Sequence, residues 1–226
     1  VPFWLGALLV LAGGLLGGII GPNLAAWTRA LLPTPFVGAY LALAVVALIA
    51  MGVMALIQFP PVHASTAHAP QGRPLAQIMR QPVFIVATLA AAMGYGVMNL
   101  LMAATPLAMQ VCGFEFGATA LVLQWHVIGM YAPGFVTGHL IKRFGVLPIM
   151  GVGVVLNLVC VAVALSGVEL MHFVSALLLL GVGWNFLFTG STTLALRAYR
   201  PEEKTVRQRC AEMPDKRARQ AMHITL

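Results

Sequence analysis

The chain has 226 residues, of which 60% are hydrophobic and only 8% are charged, and its mean hydropathy is +0.92. An ordinary soluble domain carries roughly 25% charged residues, so this chain has too little polar surface to be covered by water. The composition excludes a soluble globular domain and indicates that lipid is the surrounding solvent.

The basic excess has a membrane explanation. Thirteen Lys and Arg against six Asp and Glu give a net charge of +7 and a pI near 9.9, which in a soluble protein would suggest a nucleic-acid partner. Here the charges lie between and after apolar segments, so the basic bias of cytoplasmic loops explains them more simply. We expect no nucleic-acid partner. The three cysteines are far apart and show no CxxC spacing, so neither a disulfide framework nor a zinc site is expected.

Six apolar segments reach or approach the roughly 20 residues that a helix needs to cross a bilayer core of about 30 Å. In chain order they cover residues 3–28, 36–59, 83–111, 118–141, 146–166 and 171–196. The break between the fourth and fifth rests only on Lys142, Arg143 and Pro148. The segments are apolar on every side, whereas barrel strands alternate with period two, and only helices and closed barrels satisfy the backbone in lipid. The sequence predicts an all-α polytopic membrane helix bundle of about six transmembrane helices.

The basic residues gather on one side of this bundle. When successive loops are assigned to opposite sides, one side receives only Arg29, and the other receives the remaining twelve of the thirteen Lys and Arg. The positive-inside rule makes the second side cytoplasmic. We therefore expect a multi-pass protein of the cell membrane, such as a bacterial inner membrane, with the central loop and the C-terminal tail in the cytoplasm.

Composition also divides the chain. Residues 60–82 are polar and rich in proline, which predicts an exposed cytoplasmic linker between helices in 1–59 and helices in 83–199. Residues 200–226 form a basic polar tail without a span, which we interpret as aberrant. The chain starts at Val1, inside an apolar segment and without an initiator Met, so we expect that the N-terminus is missing and that the chain is a fragment.

Glycines in the first segment predict close helix packing. Gly13, Gly17 and Gly21 are spaced by four and share one face of a helix, where small residues let another helix approach. Pro22 removes a backbone hydrogen bond and permits a bend. Ordinary packing is the alternative interpretation, because glycine is common in membrane helices.

Residues 17–26, GGIIGPNLAA, resemble the G-x-x-x-G-P-x-x-G-G signature of transporters of the major facilitator superfamily. In that superfamily the signature lies on the fifth helix and is typical of proton-coupled antiporters. Ala25 and Ala26 stand where the signature has its last two glycines, and both are small. Gly17, Gly21 and Pro22 match the signature directly.

A second resemblance lies at the end of the fourth segment. Residues 138–145, GHLIKRFG, resemble the cytoplasmic G-x-L-x-D-R-x-G loop of the same superfamily, with Gly138, Arg143 and Gly145 matching and Lys142 at the acidic position. This motif has a weaker copy between helices eight and nine. If the first segment is helix five, the fourth is helix eight, and residues 60–82 join the two halves. The resemblance covers about residues 3–200 and implies a partial fold of helices five to ten.

The resemblance implies secondary active transport of a small solute, as an antiporter or permease, with proton-coupled antiport or efflux as the finer expectation. The expected partners are the lipid bilayer, an unidentified solute and protons. No enzyme motif or phosphate loop is present, so we expect no enzyme activity, cofactor or resident metal. Two alternatives remain open: an inactive transporter remnant, and a membrane-embedded assembly subunit without transport activity.

His126 is the leading candidate for a solute or proton pathway. It lies near the middle of the fourth segment beside Gln124 and Trp125, and polar groups at that depth are costly and often functional. Imidazole has an unperturbed pKa near 6.5, so it changes charge in the physiological range. The alternative is a neutral histidine that is hydrogen-bonded to a neighbouring helix.

Two amides complete the candidate set. Asn99 lies in the third segment and Asn185 in the sixth, beside Trp184, and each amide can hydrogen-bond a ligand. Bonding between helices is the alternative for both. In the fourth segment, Pro133 is expected to open the helix near Gly129.

Overall fold

The computed structural model describes residues 3–57 and 75–198, and these ranges contain helices and loops but no strand. The helices are α1 Phe3–Thr28, α2 Val37–Leu56, α3 Leu75–Met79, α4 Pro82–Val111, α5 Phe116–Tyr131, α6 Gly134–Phe144, α7 Val146–Ser166 and α8 Leu170–Leu196. The predicted all-α membrane bundle is confirmed. Most of the predicted linker and the whole tail at 200–226 lie outside the described residues, and α3 occupies the end of the linker.

The predicted fourth span is not one continuous helix. Five helices of the described ranges are individually long and apolar enough to cross a membrane: α1, α2, α4, α7 and α8. The fourth span is divided into α5, of 16 residues, and α6, of 11 residues. The two meet at Ala132 and Pro133, whose backbone stays in the right-handed helical region.

Two adjacent residues, Pro133 and Gly134, contribute locally to the break between α5 and α6. Pro22 and Pro106 lie inside the continuous helices α1 and α4, so proline alone does not interrupt a helix here. Pro133 differs because Gly134 follows it, and glycine in a helix interior costs about 1 kcal/mol relative to alanine. Pro133 also has no N–H for the carbonyl of Gly129. Together the two residues interrupt the helical hydrogen bonds at this point.

α8 lies at the centre of the described bundle and packs against α4, α5 and α7. Its closest contacts are made at glycines. A Cβ added to Gly129 of α5 would lie 3.4 Å from the Cα of Gly181, and one added to Gly153 of α7 would lie 2.8 Å from the carbonyl oxygen of Gly183. Lipid tails are as apolar as leucine, so helices associate through such close packing rather than through a hydrophobic effect between them.

The outer surface is apolar. Gly38 is the only buried residue of α2, and large side chains such as Leu48 and Leu56 are 65% and 83% exposed. A water-soluble monomer rarely shows so large an apolar surface. This apolar surface fits a lipid environment, as the composition predicts.

Candidate functional site

α1 and α5 meet through two glycines of α1. Gly14 lies directly beneath the ring of Tyr131, and Gly18 lies against the side chain of Val127, so a Cβ at either position would collide with α5. Because these glycines follow each other at a spacing of four, they form one face of α1. In the register given above, α1 belongs to the N-terminal half and α5 to the C-terminal half. This face would then be a contact between the halves.

Gly14 and Gly18 make the α5 contact, and helix packing at the predicted face of Gly13, Gly17 and Gly21 stays a prediction. A Cβ added to Gly13, Gly17 or Gly21 would meet nothing within 4 Å among the described residues. Gly17 and Gly21 instead line an apolar groove of about 440 Å³ between α1 and α2. Gly14 and Gly18 each follow a glycine of the predicted face by one residue. The sequence could not distinguish the two sets, because both have a spacing of four and α1 has no polar side. α1 continues through Pro22 without interruption.

The second motif closes α6 and starts α7. Gly145 has φ of +93°, a conformation that a side chain disfavours, and this explains the glycine at the last motif position. Arg143 is exposed in the last turn of α6, and its guanidinium lies 5.3 Å from the centroid of the Phe144 ring. Gly138 is exposed, and an added Cβ there would meet no described residue within 4 Å.

His126 is fully buried where α5 faces α8. Its Nδ1 lies 2.9 Å from the carbonyl oxygen of Leu177, and Nε2 is buried without a partner among the described residues. A carbonyl only accepts, so Nδ1 carries the proton, and a neutral ring leaves Nε2 as an unoccupied acceptor. The Leu177 carbonyl on α8 is therefore the interhelical hydrogen-bond partner that the alternative interpretation of His126, a neutral packed histidine, requires.

Gln124 and Trp125 point elsewhere. Gln124 is half-buried at the α1 contact, where its Oε1 lies 3.5 Å from Nδ2 of Asn23, a long hydrogen bond. Asn23 also donates to the carbonyl of Ile19 at 2.7 Å. Trp125 is 40% exposed. Three successive residues of one helix necessarily face three directions, so they do not form a single site.

Asn185 closes the break between α5 and α6. It is buried, its Nδ2 donates to the Met130 carbonyl at 2.7 Å, and its Oδ1 lies 2.7 Å from Oγ1 of Thr137. In a continuous helix the Met130 carbonyl would accept from the N–H of Gly134. Because that carbonyl only accepts, Nδ2 must face it, and Oδ1 then accepts the hydroxyl of Thr137. The Asn185 amide thus bonds between helices at both ends, and a direct role toward a solute stays a prediction.

Asn99 has a different environment. Its Nδ2 donates to the carbonyl of Tyr95, 2.9 Å away on the same helix, and its side chain is exposed. The Tyr95 ring lies 6.5 Å from the ring of Trp184 on α8, and Trp184 stacks on Phe188 with centroids 4.7 Å apart. We call the three rings of Tyr95, Trp184 and Phe188 the ring cluster.

Sequence reasoning missed this cluster. The spacing of Trp184 and Phe188 by four was a usable signal, because such pairs share a helix face. Their approach to Tyr95 depends on the packing of α4 on α8 and had no signal in the sequence. The predicted candidates therefore separate into three places: the α1–α5 contact, the α5–α8 interface, and the exposed side of α4.

A bundle of long helices with an apolar outer surface belongs to the class of polytopic membrane proteins. Comparison with known proteins makes this specific. The sequence model of the Major Facilitator Superfamily matches residues 5–207, and the chain belongs to that superfamily.

Two relatives extend the comparison. The chain is 41% identical over 197 residues to the riboflavin transporter RfnT of Brucella anthropi, which covers 86% of this chain and 50% of that protein. It is 39% identical over 100 residues to the uncharacterized MFS-type transporter YdeG of Bacillus subtilis, covering 43% of this chain and 23% of that protein. The chain thus spans half the length of the first relative, and its match covers 23% of the second. No solved structure matches it significantly.

Proposed function

We propose that the protein carrying this sequence moves riboflavin or a closely similar small solute across the cell membrane as a secondary active transporter. The observation that carries this proposal is the 41% identity to a protein named as a riboflavin transporter, which extends over 86% of this chain. Membership of the Major Facilitator Superfamily supports solute transport in general.

Uptake in cells tests the substrate. A bacterium that can neither make nor import riboflavin is given the complete coding sequence that contains these residues, and accumulation of radiolabelled riboflavin is measured. We expect growth at low external riboflavin and accumulation above the empty-vector control. Absence of both, with the protein present in the membrane, would refute riboflavin as the substrate.

The 226-residue chain is expressed alone in the same strain to address the alternative that it is an inactive remnant. A secondary transporter binds its solute near the bilayer midplane, between its two helical halves. Since the chain covers 50% of the riboflavin transporter's length, we expect no accumulation from the chain alone. Accumulation equal to that of the complete protein would contradict the remnant interpretation.

Proton coupling through His126 is the finer part of the proposal. Its buried Nε2 has no hydrogen-bond partner among the described residues. On α8, the Leu177 carbonyl contacts Nδ1 and Gly181 contacts the backbone carbonyl of His126, and neither group is ionisable. A proton taken up at Nε2 would place a charge in the α5–α8 interface, and this would couple protonation to helix packing. We also propose that the central loop lies on the cytoplasmic side of the membrane.

The pH profile of transport tests His126. We expect His126→Gln to flatten the dependence of the transport rate on pH between about 5 and 8, the range in which imidazole ordinarily titrates. Gln retains a donor for the Leu177 carbonyl, so loss of packing is smaller than with Ala. A profile that matches the unmodified protein would remove His126 from the coupling mechanism.

A further inference from the structure

The ring cluster of Tyr95, Trp184 and Phe188 lies where α4 meets α8 and leaves part of its aromatic surface exposed. Trp184 and Phe188 are nearly parallel, with 10° between their planes and 4.7 Å between centroids, and Tyr95 is inclined to Trp184 by 54°. Tyr95 is 52% exposed and Phe188 is 40% exposed. We propose that this cluster is a binding site for a planar conjugated ring of the transported solute, which for riboflavin is the isoalloxazine ring.

The position of the cluster fits a solute site. Tyr95 and Trp184 each lie near the middle of a long helix, α4 at Pro82–Val111 and α8 at Leu170–Leu196. On α8, Gly190 packs against Met150 of α7, and Phe188 lies about 160° around the helix from Gly190, at 100° per residue. Phe188 therefore projects on the side of α8 opposite α7, close to the face that Gly181 turns toward α5. Solute sites of secondary transporters lie at this depth, near the bilayer midplane.

Asn99 supplies a polar edge beside the rings. It lies four residues, about 6 Å, from Tyr95 along α4, and one N–H of its amide is used by the Tyr95 carbonyl. An amide carries two N–H donors and a carbonyl acceptor. The second N–H and Oδ1 remain as a donor and acceptor pair, which complements the adjacent N–H and C=O groups on the edge of a flavin ring.

A lipid acyl chain is the other candidate occupant of an exposed apolar surface, and it fits less well. Acyl chains gain nothing from parallel ring faces, and they offer no partner to the second N–H and the Oδ1 of Asn99, which is costly in hydrocarbon. A conjugated heterocycle stacks on the rings and hydrogen-bonds the amide. This inference rests on the proposed function, because it identifies the part of the solute that the protein binds.

Paired substitutions test the ring requirement. Phe188→Leu keeps the apolar volume and removes the ring, whereas Phe188→Tyr keeps the ring; Tyr95→Leu and Tyr95→Phe form a second pair. We expect each Leu variant to raise KM for riboflavin roughly 5- to 100-fold, as loss of one base–aromatic stack does, with a smaller change in kcat. The Tyr and Phe partners are expected to stay within about threefold of the unmodified protein.

Competition identifies which part of the solute is bound. Lumichrome, which carries the flavin ring system without the ribityl chain, is expected to inhibit riboflavin transport, and ribitol is not. Asn99→Leu is expected to weaken inhibition by lumichrome as well. Trp27→Leu, at an exposed ring on α1 that is 72% exposed, is the matched control and is expected to leave KM unchanged.

The outcomes separate the two proposals. If the unmodified protein transports riboflavin and both Leu variants keep its KM, the ring site is wrong and the proposed function stands. Inhibition by ribitol but not by lumichrome also overturns the ring site. If the unmodified protein neither transports nor binds riboflavin, the proposed function is refuted. Because Tyr95 and Phe188 lie on different helices, misfolding of one variant leaves the other pair as a valid test.

Discussion

Gly181 determines how closely α5 approaches α8. A Cβ added at this position would lie 2.9 Å from the carbonyl carbon of Gly129 and 2.9 Å from the backbone nitrogen of Met130, and it would collide with the carbonyl oxygen of His126. Optimal contacts between non-bonded carbon atoms are about 3.5–4.0 Å. All three neighbours are backbone atoms, which cannot rotate away, so Gly181→Ala requires α5 and α8 to separate by roughly 0.5–1 Å.

This separation of α5 and α8 lowers the free energy of unfolding. Inserting a methyl group into a packed interior typically costs about 1–3 kcal/mol. For chains of 150–250 residues, 1 kcal/mol corresponds to a Tm change of about 2–4 °C. We therefore expect Gly181→Ala to lower Tm by about 2–12 °C. The same shift moves the Leu177 carbonyl away from Nδ1 of His126, now at 2.9 Å.

The assay is heating of detergent-purified protein followed by size-exclusion chromatography, with Tm taken as the temperature at which half of the monodisperse peak is lost. Gly151→Ala is the control, because an added Cβ at Gly151 in α7 meets nothing within 4 Å among the described residues. In a helix interior this change is expected to be neutral or stabilising by up to about 1 kcal/mol. Equal Tm values for the two variants would refute the backbone-contact reasoning.

Two further predictions follow from single contacts. Asn185→Leu removes the donor to the Met130 carbonyl, so we expect a loss of about 1–3 kcal/mol, the cost of an unpaired buried polar group; a Tm equal to that of the unmodified protein would contradict the role of Asn185 at the helix break. Cys112 is an exposed thiol at the end of α4, and we expect an impermeant thiol reagent to label it in intact cells. Labelling should disappear in Cys112→Ser and return with Glu115→Cys in that background, whereas Arg73→Cys should react only after permeabilisation. The reverse pattern would invert the proposed orientation.

Much of the fold was predictable because hydropathy and charge act along the chain. Segment length and uniform apolarity predicted α1, α2, α4, α7 and α8 within a few residues, and Pro133 predicted an opening near Gly129. The full division of the fourth span into two helices was not predicted. It needs Gly134 after the proline, together with the Asn185 amide that occupies the Met130 carbonyl from another helix.

The candidate site was predictable only in part. Polar residues inside apolar segments can be recognised from sequence, and His126, Asn99 and Asn185 were identified in this way. Asn99 donates to the Tyr95 carbonyl on its own helix. The partners of His126 and Asn185 could not be predicted, because each belongs to another helix. The ring cluster was missed for the same reason.

The sequence by itself determined that the chain is a helical membrane protein, where five of its long apolar helices lie, and which superfamily its motifs resemble, because each of these depends on composition or local order along one segment. Only the tertiary structure decided that Gly14 and Gly18, rather than Gly13, Gly17 and Gly21, contact α5, and that Tyr95 meets Trp184. The physical reason is that helices in lipid are apolar on all sides, so periodicity marks no inward face. Close backbone approach at small residues then chooses the contacts between helices, and that choice depends on the shapes of both partners.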